Sequence, residues 1–588
     1  MDRKRHCALV LLFAVLGCVV GYFIYDRMGL RRDEILQARY TDTQFVSLME
    51  SLIAEEVLKA EGGRTVVDEQ ALAQRRLGKK IEERVRASVP LLTIKDGGIL
   101  YDSRLASIVN NQPMMSRTVI RGSLVDRNGV ILAKTFFNHK TNDQRREYPL
   151  GPIIYPLVGH AHPVYGKRGM EKVLDGYLTG QTHKPVFTDS PEPLRSIELG
   201  DNVTLTIEGR LQKYAYEVMG EKKGAIVVLD VRTGEILAAV STPSFDPATR
   251  DRATWRQVEG DRKNRPWGNR AFDTLYPPGS TFKTVVASAW FDGGHGENSY
   301  KSFCAGGKNK YAISDMHRHG EVMLGGAFVK SCNVFFSEIG VQLGEETKVK
   351  AEQFGFNRPI NLFPQNHSVN LTAETSQAFL WSEMEGERNN RRPKNFRAID
   401  FKRNPRIVAQ CSIGQNLVVA TPLQMAVVAS TIANEGRAMN PFIVKEIQTG
   451  DGKKIVFQGK PVSTGRSVTP GTAQRLAKLM GDVMEAGTGR NVQVVCFENG
   501  RYVTQARNGC KSPIKIAGKT GTAEVGDRNN NGIVDDNEKP HSWFIGFAPS
   551  DQPKFAIAVI AENQGLGALT AAPIAVQVLA ESMNLLPR

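Results

Sequence analysis

The longest apolar stretch of the chain lies near its N-terminal end. Residues 7–25 carry no charge, and as a helix they would extend about 28 Å, enough to cross a bilayer. Arg3, Lys4 and Arg5 precede this stretch, so the pattern predicts a single membrane anchor whose N-terminus stays inside. A cleaved signal peptide is the main alternative, but the stretch continues without a small-residue cleavage site.

Short apolar runs separated by turn residues predict two β-hairpins further along. Residues 120–133 contain two such runs around the turn sequence DRNG, in which glycine supplies a positive φ. Residues 225–240 contain two more, on either side of the turn sequence RTGE. The second hairpin indicates that a C-terminal domain begins near residue 215.

Residues 280–293 have the pattern of a buried amphipathic helix. Apolar side chains recur at the helical spacing, at Phe282, Val285, Val286, Ala289 and Trp290. The sequence PPG at 277–279 marks the start. Ser280 lies in the first turn, where unpaired N–H groups and the helix dipole favour an anionic oxygen. Lys283 follows one turn later on the same face, so an amine could activate this serine without a histidine.

Composition narrows the class of protein. A chain of 588 residues is too long for one core and predicts two or three folded domains. The net charge of +15 is dispersed and no nucleic-acid motif accompanies it, which suits a surface near anionic lipid or an acidic polymer. The seven cysteines form no C-x-x-C pairs, so their spacing indicates neither a zinc site nor a disulfide scaffold.

Three short motifs follow one another in the C-terminal region. They are STFK at 280–283, SCN at 331–333 and KTG at 519–521. Each is common alone, but the ordered set is that of β-lactamases and penicillin-binding proteins. Together with GTG at 487–489, these motifs make the chain resemble a class B, monofunctional penicillin-binding protein over roughly residues 117–580.

The resemblance implies an α/β (α+β) transpeptidase fold, with an antiparallel sheet between helical layers. Upstream, RG at 121–122 and GME at 169–171 resemble the elongated pedestal of this class. No second apolar stretch of comparable length follows residues 7–25, so we expect the catalytic part to lie outside the bacterial cytoplasmic membrane. The predicted segments are a cytoplasmic tail (1–6), a transmembrane anchor (7–25), a helical stalk or small subdomain (26–110), a dimerisation-like pedestal (111–215) and a transpeptidase domain (216–588).

The implied reaction is cross-linking of peptidoglycan stem peptides through a serine acyl-enzyme, which β-lactams also form. The resemblance makes Ser280 the nucleophile and Lys283 its base. Ser331 would relay a proton to the leaving amine, and Asn333 would fix Lys283 and the substrate amide. We expect burial and a second cation at Lys519 to lower the pKa of Lys283, since both disfavour its charged form.

The KTG motif falls on a predicted strand beside the nucleophile. Lys519, Thr520 and Thr522 suit the terminal carboxylate of the substrate. Gly521 would leave room for the substrate backbone. By resemblance, the backbone N–H groups of Ser280 and Thr522 would form the oxyanion hole.

The implied chemistry requires no cofactor, but residues 527–538 suggest a structural Ca²⁺ ion. This sequence, DRNNNGIVDDNE, fits the twelve-residue calcium loop of an EF-hand, although strands would flank it instead of helices. A solvated polar turn is the alternative. The predicted ligands are Asp527, Asn529, Asn531, Ile533, Asp535 and Glu538.

The cysteines leave several interpretations open. Cys496 and Cys510 could pair in an oxidising compartment or remain free thiols. Cys332, inside the second motif, is interpreted as a small buried residue. Cys304 and Cys411 have no predicted partner.

Three other activities share this acylation chemistry. A D,D-carboxypeptidase differs only in using water as the acceptor, a β-lactamase-like hydrolase would lack the pedestal and anchor, and a β-lactam sensor would need several membrane helices or a cytoplasmic effector. The predicted partners are stem peptides, β-lactams, membrane lipid and, by analogy, a polytopic glycosyltransferase, without nucleic acid.

Overall fold

The computed structural model divides the chain into two compact units, Met1–Thr118 with Asp189–Ile197 and Val119–Thr188 with Glu198–Arg588. It describes residues 58–61, 64–74, 92–95, 98–101, 118–138, 143–182, 186–188, 197–249, 251–366, 369–382, 396–510, 513–525 and 538–586. The predicted anchor at 7–25 lies outside these ranges. Within them, no helix combines the length and the apolar character that crossing a bilayer requires.

The described part of the first unit is mainly strand. Leu58–Glu61 pairs with Arg64–Val67, and Leu92–Lys95 pairs with Gly98–Tyr101, both antiparallel. One short helix, Glu69–Gln74, is also present. The helical character predicted for residues 26–110 is therefore wrong for these strands, because adjacent β-branched residues such as Thr65 and Val66, or Thr93 and the Ile94 beside it, favour strands.

The second unit begins with a six-stranded sheet. Its strands, in spatial order, are Ile455–Gln458, Val444–Gln448, Asn202–Leu205, Leu124–Val125, Ile131–Asn138 and Asp143–Glu147. The predicted hairpin at 120–133 is confirmed, since Leu124 pairs with Ala133 and Gly129 has φ 86°. Two of the six strands come from residues more than 200 positions later, which no local pattern predicts.

The two motifs that resemble a pedestal meet at a buried carboxylate. Glu171 is fully buried. It accepts from Nε of Arg121 at 2.6 Å and from Nε of Arg146 at 2.7 Å. Because removal of either cation would leave a buried charge poorly compensated, this network holds the segment in one arrangement.

A five-stranded antiparallel sheet forms the centre of the second unit. In spatial order its strands are Ile236–Thr242, Gly224–Asp230, Phe555–Ala561, His541–Ala548 and Ala517–Ala523. Both faces are buried, since Ile226 and Val228 point into one apolar cluster and Val227 and Leu229 into another. The strands therefore read as continuous apolar runs rather than as alternating ones.

Helices cover both faces of this central sheet. Gly209–Met219 and Ala571–Leu585 pack on one face, and Pro422–Ala433 packs on the other. The predicted antiparallel sheet between helical layers is thereby confirmed. The predicted boundary between residues 215 and 216 is wrong, because it cuts the helix Gly209–Met219, whose Leu211 and Met219 pack against the sheet.

Shorter elements complete the second unit. The remaining helices are Tyr155–Val158, Gly169–Val173, Asp175–Leu178, Arg252–Gly260, Arg270–Asp273, Lys283–Asp292, Leu324–Val329, Asn333–Leu343, Glu345–Gln353, Pro405–Ser412 and Pro470–Glu485. The remaining paired strands are His160–His162 with Gly166–Arg168, Ser302–Cys304 with Gly320–Val322, Gln377–Ala378 with Val418–Val419, Leu380–Ser382 with Phe396–Ala398, and Arg437–Met439 with Ser463–Arg466. Two three-stranded sheets combine Thr118–Ile120, Val186–Thr188 and Ile197–Leu199, and Val494–Glu498, Arg501–Gln505 and Pro513–Ile514.

The segment predicted as an amphipathic helix is buried on every side. It begins as a 3-10 turn, Gly279–Phe282, and continues as the helix Lys283–Asp292. Every residue from 283 to 291 is buried, so the amphipathic prediction is wrong. The polar Ser288 fits into this core because its hydroxyl donates to the backbone oxygen of Thr284 at 2.7 Å.

The open question about Cys496 and Cys510 resolves as a disulfide. Their Cα atoms lie 5.8 Å apart, and the bond joins the strand Val494–Glu498 to the residue that follows the 3-10 turn Arg507–Gly509. Cys304, Cys332 and Cys411 are free and buried. The prediction of a buried Cys332 is therefore confirmed.

Candidate active site

Ser280 is held in a tight turn against the edge strand Ala517–Ala523 of the central sheet. The N–H of Gly279 donates to the oxygen of Gly414 at 2.9 Å, and Nε1 of Trp543 donates to the oxygen of Pro277 at 3.0 Å. Gly279 has φ 54°, and a Cβ there would lie 2.6 Å from the oxygen of Thr522. Only glycine permits this close approach. As a result, the backbones of Ser280 and Thr522, the predicted oxyanion-hole residues, lie next to each other.

The second motif lies beside Lys283. The Nζ atom of this lysine donates to the backbone oxygen of Ser331 at 2.7 Å, to Oδ1 of Asn333 at 2.6 Å and to Oγ of Ser331 at 3.4 Å. Ser331 has φ 60°, a left-handed conformation that is rare for residues other than glycine. Such a conformation persists only where its surroundings enforce it, and it is common at functional sites.

Lys519 reaches the same hydroxyl from the opposite side. Its Nζ atom donates to Oγ of Ser331 at 2.9 Å and to the backbone oxygen of Thr520 at 3.1 Å. Lys283 and Lys519 are both completely buried. The hydroxyl of Ser331 therefore lies between two amines, as a proton relay requires.

The three motifs converge on one cavity of about 660 Å³. The predicted residues that line it are Ser280, Ser331, Asn333, Thr520 and Thr522. Sequence reasoning gave no role to Thr488, which also lines the cavity and lies with its Oγ1 2.5 Å from Oγ1 of Thr520. The GTG motif that contains Thr488 could have indicated this residue from the sequence. The hydrogen bond shows that Thr488 orients the Thr520 hydroxyl.

Gly521 has a packing role that the sequence did not predict. A Cβ at this position would lie 2.8 Å from Cγ2 of Thr281, 2.9 Å from Cβ of Trp543 and 3.1 Å from the oxygen of Pro278. These atoms belong to the nucleophile turn and the neighbouring strand. The missing side chain therefore makes room for the chain itself, and the predicted contact of Gly521 with substrate stays a prediction.

Burial dominates the electrostatics of the two lysines. It lowers the pKa of Lys283 to about 8, while the carboxylate of Asp315 acts in the opposite direction. Burial, and then the positive charge of Lys283, lower the pKa of Lys519 well below its ordinary value. The predicted effect of burial on Lys283 is thus present, and burial is also the largest cause of the lowered pKa of Lys519.

A group of four side chains directly below the second motif escaped sequence analysis. Sγ of Cys304 and Sγ of Cys332 each lie 3.2 Å from Oδ2 of Asp315, and Nδ1 of His319 lies 3.9 Å from the same oxygen. Cys304 thus has neighbours that its sequence position did not suggest. The predicted calcium loop lies outside the described residues except for Glu538, which is buried.

Comparison with known proteins agrees with this geometry. Residues 224–580 match the family model of the penicillin binding protein transpeptidase domain. Peptidoglycan D,D-transpeptidase PbpA of Mycolicibacterium smegmatis is 30% identical over 471 residues, which cover 75% of this chain and 84% of that protein. Peptidoglycan D,D-transpeptidase MrdA of Acinetobacter baumannii is 30% identical over 467 residues, covering 71% and 63%.

Solved structures show the same relationship. The crystal structure of PBPA from Mycobacterium tuberculosis matches with a TM-score of 0.61 and 27% identity, covering 79% of this chain and all of that one. Its ceftriaxone acyl-enzyme complex matches with the same TM-score and identity, covering 78% and 98%. With its three motifs around one cavity, the chain therefore belongs to the penicillin-binding protein transpeptidase family, as a class B member.

Proposed function

We propose that this chain cross-links peptidoglycan as a membrane-anchored, serine-type D,D-transpeptidase that works outside the cytoplasmic membrane. The observation that carries the proposal is the convergence of Ser280, Ser331 and the KTG strand on one cavity, with two buried lysines meeting at Ser331. The relatives are D,D-transpeptidases, and the PBPA neighbour forms an acyl-enzyme with ceftriaxone. The donor would be a stem peptide ending in D-Ala-D-Ala.

Acylation then follows from the positions of these groups. Oγ of Ser280 attacks the carbonyl carbon between the two D-alanines, and its proton passes to the neutral amine of Lys283. The backbone N–H groups of Ser280 and Thr522 donate hydrogen bonds to the developing oxyanion. A proton returns through Ser331 to the leaving nitrogen, and free D-alanine departs.

The pair of buried lysines suggests how substrate binding activates the base. Two buried ammonium groups around one hydroxyl repel each other, so the pair disfavours two charges. Lys283 has two carbonyl-type acceptors, Ser331 O and Asn333 Oδ1, which favour the proton on Lys283 before substrate binds. The substrate carboxylate beside Thr520 would favour the charge on Lys519 instead. Lys283 would then become neutral at the moment it is needed.

The fate of the acyl-enzyme separates this function from its alternatives. In a transpeptidase an amine of a neighbouring stem attacks the ester on Ser280 and forms the cross-link. In a D,D-carboxypeptidase or a β-lactamase, water attacks instead. The permanent anchor predicted at 7–25 supports the transpeptidase, because it would keep the enzyme next to a membrane-bound substrate.

The decisive experiment follows the acyl-enzyme directly. Full-length protein in detergent is labelled with a fluorescent penicillin, the modified peptide is identified by mass spectrometry, and release of the label is timed. We expect a label on Ser280 that persists for minutes or longer. Release within milliseconds would support a hydrolase, and absence of any adduct would overturn acylation chemistry altogether. Incubation with pentapeptide-bearing glycan should yield dimeric stems, whereas tetrapeptide alone would identify a carboxypeptidase.

The anchor also suggests a partner. A polytopic glycosyltransferase that makes the glycan would be held beside this enzyme through the anchor and the segment at 111–215. Purification of the tagged full-length chain in mild detergent should recover such a membrane protein. Replacement of residues 7–25 by an unrelated transmembrane helix should weaken that recovery, and undiminished recovery would exclude the anchor as the contact.

Gly521→Ala provides a test of how closely the nucleophile turn must approach the sheet. The added Cβ would overlap Thr281 and Trp543, so we expect a loss of about 1–3 kcal/mol in the free energy of unfolding. Displacement of Ser280 should also slow acylation at least about tenfold. Urea unfolding and the rate of penicillin labelling measure the two effects.

Gly481→Ala is the matched control for this change. Gly481 lies inside the helix Pro470–Glu485, and a Cβ there meets nothing within 4 Å. Alanine at this position should stabilise the helix by roughly 0.5–1 kcal/mol and leave labelling unchanged. An undisturbed acylation rate in Gly521→Ala would mean that the turn tolerates displacement.

A further inference from the structure

A second cavity lies at the end of the edge strand that carries the KTG motif. Its volume is about 620 Å³, within the range of roughly 300–1,000 Å³ that is typical of ligand sites. The strand Ala517–Ala523 leads into it, since the next residue, Glu524, lines both this cavity and the one around Ser280. We call it the basic cavity, because four of the residues that line it are cations: Lys223, Lys263, Arg265 and Arg270.

The basic cavity contains one carboxylate that is shared between two cations. Oε1 of Glu562 accepts from Nε of Arg270 at 2.9 Å and from the hydroxyl of Tyr276 at 2.7 Å. Oε2 of the same side chain pairs with Nζ of Lys223 at 3.2 Å. The negative charge of Glu562 is therefore already used by Arg270 and Lys223, and it does not compensate the other two cations of the cavity.

Those two cations, Lys263 and Arg265, belong to a loop that is fixed at the cavity. Within the described part of the chain, neither of them pairs with a carboxylate. Arg265 has φ 46°, a left-handed conformation that persists only where its surroundings enforce it. The guanidinium of Arg270 donates to the backbone oxygens of Asn264 and, at 3.3 Å, of Arg265. Nζ of Lys223 donates to the backbone oxygen of Lys263 at 2.7 Å, so the loop is held from both sides.

The position of the proposed donor determines which part of it reaches the basic cavity. In the proposed reaction the terminal carboxylate of the stem lies beside Thr520, and the carbonyl that Ser280 attacks lies at the N–H of Thr522. The rest of the stem then continues along the strand towards Glu524, roughly 7 Å beyond Thr522. An extended peptide covers this distance in about two residues. The part of the stem just before the two D-alanines therefore arrives at the entrance of the basic cavity.

On the basis of this function, we propose that the basic cavity selects donor stems by the side chain that precedes the D-alanines. The preferred side chain ends in an ammonium group and a carboxylate on the same carbon. Glu524 pairs with the ammonium group, which stems carry because it is the acceptor amine in other cross-links. Lys263 and Arg265 pair with the carboxylate. A wall with both signs of charge suits such a zwitterion better than a phosphate, which Glu524 and Glu562 would repel.

This arrangement discriminates against a stem with a lysine-like side chain. Such a side chain offers the ammonium group without the carboxylate, so Lys263 and Arg265 remain uncompensated. Charge pairs between partly exposed groups are weak, and we expect a preference of roughly 3- to 10-fold in kcat/KM. Neither cation lines the cavity around Ser280, so both act by binding the stem and not in bond making.

Matched donor peptides test this preference on the full-length protein in detergent. One donor carries both groups at the end of the side chain, a second carries only the ammonium group, and in a third the amine is acetylated. Release of D-alanine, with glycinamide as the common acceptor, gives kcat/KM for each. We expect the highest value for the first donor and the lowest for the third. Equal values for the three donors would overturn the inference.

Variants without charge locate the two contacts. Lys263→Gln combined with Arg265→Gln should abolish the difference between the first two donors, and Glu524→Gln should reduce the difference between the second and the third. Lys478→Gln is the matched control, because Lys478 is exposed on the helix Pro470–Glu485, outside both cavities, and the preference should persist. If the double variant folds poorly, Lys263→Gln alone changes an exposed side chain and should still lower the preference. An undiminished preference in these variants would exclude the basic cavity as its source.

Penicillin labelling separates a failure of this inference from a failure of the proposed function. Penicillin lacks the stem side chain, so labelling of Ser280 reports on the catalytic groups alone. Normal labelling together with equal donor rates would remove the selection by the basic cavity and leave the transpeptidase proposal intact. Absence of labelling, together with no D-alanine release from any donor, would overturn the transpeptidase proposal itself.

Discussion

Ser280→Ala is expected to eliminate covalent labelling by penicillin and to reduce cross-linking by at least about 10⁴-fold, since the hydroxyl that forms the ester is removed. Ser280 lines the cavity, so the loss of its hydroxyl removes the attacking atom and leaves the packing intact. The melting temperature should therefore remain unchanged. Gel fluorescence after labelling, together with a melting curve, measures both quantities on the same sample.

Ser463→Ala is the control for this variant. Ser463 lies on the exposed strand Ser463–Arg466, away from the cavity, and its replacement should leave labelling unchanged. Residual labelling of Ser280→Ala at another serine or threonine would contradict the assignment of the nucleophile. Equal losses in both variants would point to a general folding defect instead.

The parts of the fold that were predicted correctly are those formed by contacts between residues close together in the sequence. In the hairpin after Leu124, Oδ1 of Asp126 accepts from the N–H groups of Asn128 and Val130, and Gly129 provides the positive φ. In the second hairpin, Oδ1 of Asp230 accepts from two N–H groups of the following turn. Turn chemistry of this kind is complete within a few residues, so the sequence alone is sufficient.

The pairing of strands that lie far apart in the chain could not be predicted from the sequence. The strand Val444–Gln448 pairs with Asn202–Leu205, and the latter pairs in parallel with Leu124–Val125. Nothing in any one strand specifies its partner, because each carries only its own apolar pattern. The domain boundary failed for a related reason, since the helix Gly209–Met219 packs on strands that follow it in the chain.

The catalytic motifs were found by resemblance, whereas their physical roles required coordinates. Burial and the lysine of the KTG motif were both expected to lower the pKa of Lys283, and the structure shows that burial is the largest cause for both amines. The cluster of four side chains below the second motif shows the opposite limit. Cys304, Asp315, His319 and Cys332 have no recognisable spacing. The pairing of two short strands brings the first three together, and the packing of the second motif against them adds Cys332.

Lys283→Met should separate the proton-transfer role of this lysine from its role in packing. Acylation should fall roughly 10²- to 10⁴-fold, the range expected when a positioned base is removed. Methionine has a similar length and no charge to bury. The folded protein no longer has to bury a positive charge, and this gain offsets the loss of the hydrogen bonds to Ser331 and Asn333. We therefore expect little change in the free energy of unfolding.

Dependence on pH distinguishes a base from a simple positive charge. Only the neutral amine of Lys283 accepts a proton, so acylation by the unchanged protein should rise as the pH increases through about 8. Lys283→Met should show a low rate without that rise. The free energy of unfolding should also rise with pH. The lowered pKa of Lys283 in the folded state destabilises the protein below pH 8, and this penalty disappears as the pH approaches the ordinary pKa of lysine.

Lys350→Met is the control that makes the contrast informative. Lys350 is also buried, but it lies away from the cavity and its Nζ pairs with Oδ2 of Asp292 at 2.7 Å. Its replacement leaves that carboxylate without its cation, so it should lower the free energy of unfolding by about 1–3 kcal/mol while acylation stays normal. Lys283→Met should instead slow acylation and leave the free energy of unfolding nearly unchanged. A normal acylation rate in Lys283→Met would mean that another group accepts the proton of Ser280.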